Sequence, residues 1–161
     1  HGLTWQGYAD ESRWARGQAW GLYGFTMMYR FTKDKAYLQQ AQGIADMIIS
    51  HLPKDGIPYW DFNAPDIPKA LRDASAGAII ASALIELSEY SPEKRETYLR
   101  IAERQLRTLS SKKYLAPVGT NGNFILRHSV GHLPGNSEVD VALTYADYYF
   151  IEALLRWKKL K

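Results

Sequence analysis

The run from Asp73 to Tyr90 constrains this chain most. Ala74, Ala76, Gly77, Ala78, Ala81 and Ala83 make it small-sided, and Ile79, Ile80, Leu84 and Leu87 form an apolar ridge. Apolar residues at helical spacing without a wide polar face describe a helix buried on several sides. It is expected to start near Ala70 or Asp73 and to end about Tyr90. Such a helix needs neighbours around it, and the rest of the chain supplies them.

A first helix is expected from about Ser12 to Lys33, with Asp10 or Ser12 as N-cap. Gly17, Gly21 and Gly24 recur along one side of it. Interior glycines each cost about 1 kcal/mol against alanine, so the cluster predicts a neighbouring backbone packed close. Asp34 caps a second helix, Lys35 to Leu52, where Tyr37, Leu38, Ala41, Ile44, Ala45, Ile48 and Leu52 follow the 3.6 period and Pro53 ends it. Ser91-Pro92-Glu93 opens a fourth helix reaching about Ser110, with Tyr98, Leu99, Ala102, Leu106 and Leu109 inward and charges outward. Ser137 with Asp140 resembles a capping box for a last helix that ends about Lys158, with Leu143, Ala146, Phe150, Ala153, Leu154 and Trp157 on one face.

Two stretches break this pattern. Residues 53–68 contain four prolines together with Ile57, Tyr59, Trp60 and Phe62, which forbids a helix and argues against a loose linker. Such a loop either packs over a helix end or forms a binding rim. Between Ser111 and Ser137, Asn121-Gly122 signals a hairpin with short strands around Leu115–Val118 and Phe124–His128. The fold class that results is all-α: about five helices alternating inner and outer, stacked hairpin by hairpin, with a small β-hairpin in the 111–137 loop. The inner helices would converge their N-termini, at Ser12, Asp73 and Ser137, on one face beside the aromatic loop and the hairpin. Any site belongs there.

Composition excludes several classes. With 161 residues, 46% hydrophobic and 23% charged, residues 1–161 make one globular domain. The net charge of +3 is spread along helices, and only Lys158-Lys159-Leu160-Lys161 clusters, so no nucleic-acid footprint is present. Without cysteine there are no disulfides and no thiolate metal sites. No apolar run approaches the ~20 residues that cross a bilayer, so no membrane partner is expected. His128 and His132 are four apart, but Gly131 and Pro134 keep them off a regular helix and no third ligand lies nearby; neither a metal nor a cofactor is expected. The chain begins at His1 without Met or a signal-like segment, and the tryptophan-rich stretch close behind implies that the N-terminal part of a larger protein precedes it.

That stretch, Trp5 to Trp20, gathers three tryptophans, two arginines, a tyrosine and two carboxylates where the first helix begins. Arg16 and Trp20 are four apart and share a helix face. A guanidinium beside an indole suits a planar, anionic, partly apolar ligand, the arginine clamping a carboxylate and the indole offering a flat face. Tryptophans filling a core beneath snorkelling arginines explain the same residues. Both readings stand at this point.

The segments Gln6–Ser12, Trp14–Trp20, Pro58–Pro65 and Arg72–Ala76, with Gly119–Gly122 and Asp140–Arg156, resemble the unsaturated glucuronyl hydrolases, glycoside hydrolase family 88. The likeness covers essentially the whole chain. It implies the C-terminal part of an (α/α)6 toroid more than twice as long, with the N-terminal part of the same protein as its partner. It also implies an enzyme that removes the unsaturated uronic acid from the non-reducing end of lyase-generated, glycosaminoglycan-type oligosaccharides by hydrating the C4=C5 enol ether. The family's two important aspartates lie upstream, so no catalytic role falls on Asp10, Asp61, Asp66, Asp73 or Asp140, whose roles are capping and loop hydrogen bonds. Arg16 matches the arginine that meets the uronate region, Trp20 the stacking tryptophan, and Gln6 the polar contact before Gly-Tyr. The position before that glutamine is often His in the family and is Trp5 here, which exchanges a polar contact for stacking. The loop from Arg127 to Ser137 approaches the next sugar and its sulfate in relatives, making His128, Ser129 and His132 candidates. Relatives occur in both cytoplasm and periplasm, which leaves the compartment open. The sister family of unsaturated rhamnogalacturonyl hydrolases typically has Arg-Gly-Asn-Gly-Trp where this chain has Arg16-Gly17-Gln18-Ala19-Trp20. A third reading is a non-catalytic α-helical scaffold that binds partners on its concave face; it leaves Arg16 beside Trp20 unexplained.

Overall fold

The computed structural model describes residues 3–160; His1, Gly2 and Lys161 lie outside the described residues, so the end of the basic cluster noted in the sequence is not covered. Five α-helices order the described residues: α1 (Ala15–Thr32), α2 (Lys35–His51), α3 (Ala74–Tyr90), α4 (Arg95–Leu109) and α5 (Thr144–Lys159). α1 and α2 form one hairpin and α3 and α4 the next, with α3 packed against α1, α4 and α5. α1, α3 and α5 are thus the inner helices and α2 and α4 the outer ones. Every residue from Ala74 to Ser88 is buried, because a run of alanine, glycine and serine lets three neighbouring helices approach it closely. α4 shows the opposite: Tyr98, Ile101, Ala102, Leu106 and Leu109 are buried on one stripe, and its charges face outward.

Helix starts separate true caps from apparent ones. Asp34 accepts the Ala36 amide at 2.9 Å and Asp73 the Ser75 amide at 2.9 Å, as their positions predict. The other three caps differ. α1 begins after Trp14 with no side-chain cap, since the Ser12 hydroxyl donates to Asp61 at 2.7 Å and Asp10 accepts the Thr4 amide at 2.8 Å. α4 begins at Arg95 rather than at Pro92, after a turn in which the Lys94 amide bonds the Ser91 carbonyl at 3.0 Å. α5 begins at Thr144, seven residues after Ser137 of the expected box: Ser137 pairs with His132 through the backbone, and Asp140 accepts from His128.

The glycines of α1 also serve another purpose than the one expected. A Cβ on Gly17 would lie 2.7 Å from the Trp14 ring and one on Gly21 would lie 3.3 Å from Ile44, while nothing is within 4 Å of Gly24. They admit side chains and leave an open groove; no backbone comes close.

The two irregular stretches cap the N-terminal ends of the inner helices. Ile57, Tyr59, Trp60 and Phe62 are buried, so the proline-rich loop packs over helix ends. Its backbone is held from both sides: the Ala15 amide bonds the Trp60 carbonyl (3.1 Å) and the Trp60 amide bonds the Leu71 carbonyl (2.9 Å). In the 111–137 loop the chain doubles back around Asn121–Asn123, yet the expected strands reduce to an antiparallel bridge between Leu115 and Leu126. The Ile125 amide, which would return the bond that the Ile125 carbonyl receives from Ala116, goes instead to Asp147 of α5, as does the Leu126 amide, both at 2.8 Å.

This packing makes α3 the most sensitive element. Leu84→Ala, at a fully buried position, should destabilise by about 2–5 kcal/mol, whereas Asp34→Ala should cost about 1 kcal/mol; urea unfolding midpoints measure both.

Candidate functional site

The N-terminal ends of α1, α3 and α5 meet the 128–132 segment around Arg16, in the first turn of α1. Arg16 is 2% exposed. Its Nη1 donates to Asp73 Oδ2 at 3.0 Å, to the Val130 carbonyl, and at 3.4 Å to Ser75 Oγ. Its Nη2 donates to the Gly131 carbonyl at 2.5 Å. The faces of the guanidinium are covered by Trp14 and Tyr145, whose ring centroids lie 4.7 and 5.4 Å from Cζ. Asp73 spends its other oxygen on the N-cap: Oδ1 accepts the Ser75 amide at 2.9 Å and the Ser75 hydroxyl at 2.6 Å. Burial pushes the Asp73 carboxyl above the usual carboxylate range, against the pull of the Arg16 guanidinium and the Ser75 hydrogen bond. The clamp expected of Arg16 is therefore filled from within, by the protein's own carboxylate and carbonyls.

Four more of the sequence candidates, Gln6, His132, Trp5 and Trp20, lie with Arg16 here. Gln6 Nε2 donates to the Gly131 carbonyl at 2.9 Å, which thus receives both Gln6 and Arg16. His132 Nε2 bonds the Trp5 carbonyl at 2.8 Å, and the two rings lie 5.8 Å apart. Trp20 sits one turn further along α1, edge-on to Tyr149 at 5.1 Å and tilted on Tyr145 at 6.2 Å. It borders an open apolar groove of about 300 Å³ with Gly21, Gly24, Phe25, Met27 and Met28. The remaining two are not brought into this cluster. Ser129 is buried, its hydroxyl unpartnered and its backbone paired with Val141 at 2.9 Å. His128 bonds Asp140 at 2.7 Å and lines a separate cavity of about 200 Å³ with Lys69, Arg72, Lys113 and Tyr114. Among the described residues no three His, Asp or Glu side chains gather in a metal-ligating group.

Sequence reasoning missed three participants. Asp73 is visible as a cap, but its pairing with Arg16 spans 57 residues and leaves no local trace. Trp14 stands two residues from Arg16 in the motif itself, and Tyr145 carries no signal beyond its aromaticity. Removing one partner of the buried pair leaves the other charge uncompensated. Arg16→Ala and Asp73→Ala should each cost about 3–5 kcal/mol, and the double variant should fall short of their sum by about 1 kcal/mol or more, as read by denaturant unfolding.

No protein-family model matches the chain. An unsaturated glucuronyl hydrolase of Formosa agariphila is 52% identical over 159 residues, covering 98% of this chain and 39% of that protein. An unsaturated chondroitin disaccharide hydrolase of Streptococcus pyogenes is 39% identical, covering 98% of this chain and 40% of that protein. The crystal structure of an unsaturated glucuronyl hydrolase specific for heparin superposes with a TM-score of 0.97 at 51% identity, over 99% of this chain and 43% of that one. The chain thus spans about two fifths of the length of these relatives. The inner and outer helices are part of an (α/α)6 toroid, and the chain belongs to the unsaturated glucuronyl hydrolase family.

Proposed function

We propose that the intact protein is a glycoside hydrolase that removes the 4,5-unsaturated uronic acid from the non-reducing end of lyase-generated, glycosaminoglycan-type oligosaccharides. The ring oxygen on C5 makes the C4=C5 bond an enol ether. Protonation at C4 places positive charge on C5 and the ring oxygen, water adds at C5, and the resulting hemiketal opens to release the next sugar. This needs one carboxyl group that donates and accepts a proton, and surfaces that hold the uronate and its neighbour. In this reading the acid/base aspartate comes from a part of the family's sequence that this chain does not span. The chain supplies substrate-binding elements, with the uronic-acid oligosaccharide and the remainder of the same protein as partners.

The observation that carries the reading is the Gly131 carbonyl, which receives both Gln6 and the Arg16 guanidinium paired with Asp73, next to His132, which bonds the Trp5 carbonyl. Arg16 serves the uronate region by fixing that backbone, Gln6 supplies polar contact and Trp20 an aromatic wall. His128 and Ser129 lie just before this backbone in the chain, but Ser129 is buried and His128 lines a separate cavity, so neither adds to the uronate surface. A structure from Streptococcus agalactiae in complex with dGlcA-GalNAc6S and the chondroitin-disaccharide names among the relatives support a glucuronyl rather than a rhamnogalacturonyl substrate. They also favour an enzyme over a passive scaffold.

The assay follows the loss of the C4=C5 chromophore in an unsaturated chondroitin disaccharide. The intact protein should turn it over, and the 161-residue chain alone should not; turnover by the chain alone would overturn the placement of the acid/base outside it. Arg16→Lys keeps the charge but loses the planar fork that spans Asp73 and two carbonyls. It should lower kcat/KM of the intact protein about 100-fold, the order of loss for a misplaced site.

A further inference from the structure

Trp20 is half-buried, and its own helix does little to hold its ring. On α1 the positions that flank it are those three and four residues away: Arg16, Gly17, Tyr23 and Gly24. The two glycines offer no side chain, and a Cβ on Gly24 would meet nothing within 4 Å among the described residues. Arg16 is spent on Asp73 and the 130–131 carbonyls. The ring is held instead from α5. Tyr149 bridges Trp20 and Tyr23, edge-on to each with ring centroids 5.1 Å apart. Tyr145, the other α5 ring beside Trp20, lies further off at 6.2 Å and covers the Arg16 guanidinium. Tyr23 is fixed in turn: its hydroxyl donates to Glu152 Oε1 at 3.0 Å and accepts from Arg156 Nη2 at 3.4 Å. Both of these residues are tied to Ser82 of α3, Glu152 accepting its hydroxyl at 2.5 Å and Arg156 donating to its carbonyl at 3.0 Å. A continuous column thus runs from the buried helix α3 through Glu152, Tyr23 and Tyr149 to Trp20.

We infer that Tyr149 is a positioning residue that sets the face Trp20 turns to the unsaturated uronate, and that the Tyr23–Glu152 hydrogen bond keeps Tyr149 in place. The inference rests on the hydrolase reading and deepens it. The C4=C5 bond flattens the uronate ring, and an indole packs well on a flattened ring only face to face. Trp20 turns about two side-chain torsions, and the edge-on phenol of Tyr149 restricts both. A wall held still before substrate arrives binds more tightly than one that must be ordered on binding. Tyr149 therefore acts on the substrate without touching it.

The test uses the intact enzyme on an unsaturated chondroitin disaccharide and reads KM and kcat separately. A wall that holds substrate and transition state alike acts on KM, whereas a loss of folded enzyme lowers the apparent kcat and leaves KM alone. Trp20→Leu should raise KM about tenfold and Tyr149→Leu about fivefold, in line with the loss of one aromatic contact, with kcat held within about twofold. Tyr149→Phe, which keeps the ring, should lie near wild type, and Trp20→Leu/Tyr149→Leu should match Trp20→Leu alone. Tyr23→Phe keeps every ring and removes only the anchoring hydroxyl; it should raise KM about threefold, and it carries the test where Tyr149→Leu does not fold. An unchanged KM in Tyr149→Leu beside a raised one in Trp20→Leu overturns the positioning role and leaves the hydrolase reading standing. A KM in the double variant well above that of Trp20→Leu does the same. An unchanged KM in Tyr23→Phe overturns the anchoring through Glu152, and an unchanged KM in Trp20→Leu overturns the wall and the inference with it. A wild type inert on the disaccharide overturns the hydrolase reading itself.

Discussion

One guanidinium holds the functional end of this molecule together. Arg16 ties the first turn of α1 to Asp73, 57 residues on, and to the carbonyls of Val130 and Gly131, 114 and 115 residues on. Burying both charges is costly, and the pair persists because each partner is satisfied several times over. Arginine suits the task where lysine would not: its planar fork reaches Asp73 and the Val130 carbonyl through Nη1 and the Gly131 carbonyl through Nη2. The 130–131 backbone is thereby set, and Gln6, Trp5 and His132 take their positions from it. Asp61 extends the same anchoring to the N-terminal segment, accepting the Tyr8 amide at 2.9 Å and the Ser12 hydroxyl at 2.7 Å.

A second polar arrangement governs the other end of the inner helices. Glu86 of α3 pairs with Arg156 of α5 at 2.6 Å and with Arg30 of α1 at 3.4 Å. One turn earlier, Ser82 donates to Glu152 of α5 at 2.5 Å, and Glu152 also accepts the Tyr23 hydroxyl of α1 at 3.0 Å. Burial and the Glu152 charge together push the Tyr23 hydroxyl well above its ordinary range. Ser82 and Glu86 are four apart and form a polar row on α3. An alanine-rich helix presents a smooth surface on which neighbours could slide, and this row gives α1 and α5 a defined register along it. Packing brings the inner helices close, and a few buried polar ties determine where each sits.

The helices were largely legible because they obey local rules. Asp34 and Asp73 cap what they should, and the small-sided run from Ala74 is as buried as its composition demands. The failures lie where a residue of capping type is engaged by another partner. Ser12, Ser137 and Asp140 each have the residue type of a helix cap, but the Ser12 and Asp140 side chains bond Asp61 and His128, and the Ser137 backbone pairs with His132. The hairpin signal at Asn121-Gly122 did mark a reversal of the chain; Asp147, 22 residues beyond Ile125, takes the Ile125 amide that would have lengthened its strands. At the site, Arg16 and Gln6 were identifiable from the motif that contains them. The engagement of Arg16 with Asp73 was not, because nothing near either residue encodes a contact across 57 positions.

Under the proposed hydrolysis, the carboxylates bear on where proton transfer takes place. A general acid/base must face the substrate with an oxygen free to exchange a proton. Asp73 lies nearest the centre, but it is wholly buried, with one oxygen on Arg16 and the other on Ser75. Asp61 is buried as well, and three donors occupy its oxygens: Tyr8, Ser12 and Asn63. Asp10 holds the Thr4 amide and Asp140 the His128 imidazole, while Asp66 stands exposed on the proline-rich loop. Where these aspartates adjoin the site, their oxygens hold the backbone that shapes it. That commitment fits the proposed division of labour, in which this part of the toroid binds substrate and the proton-transferring carboxyl comes from outside it.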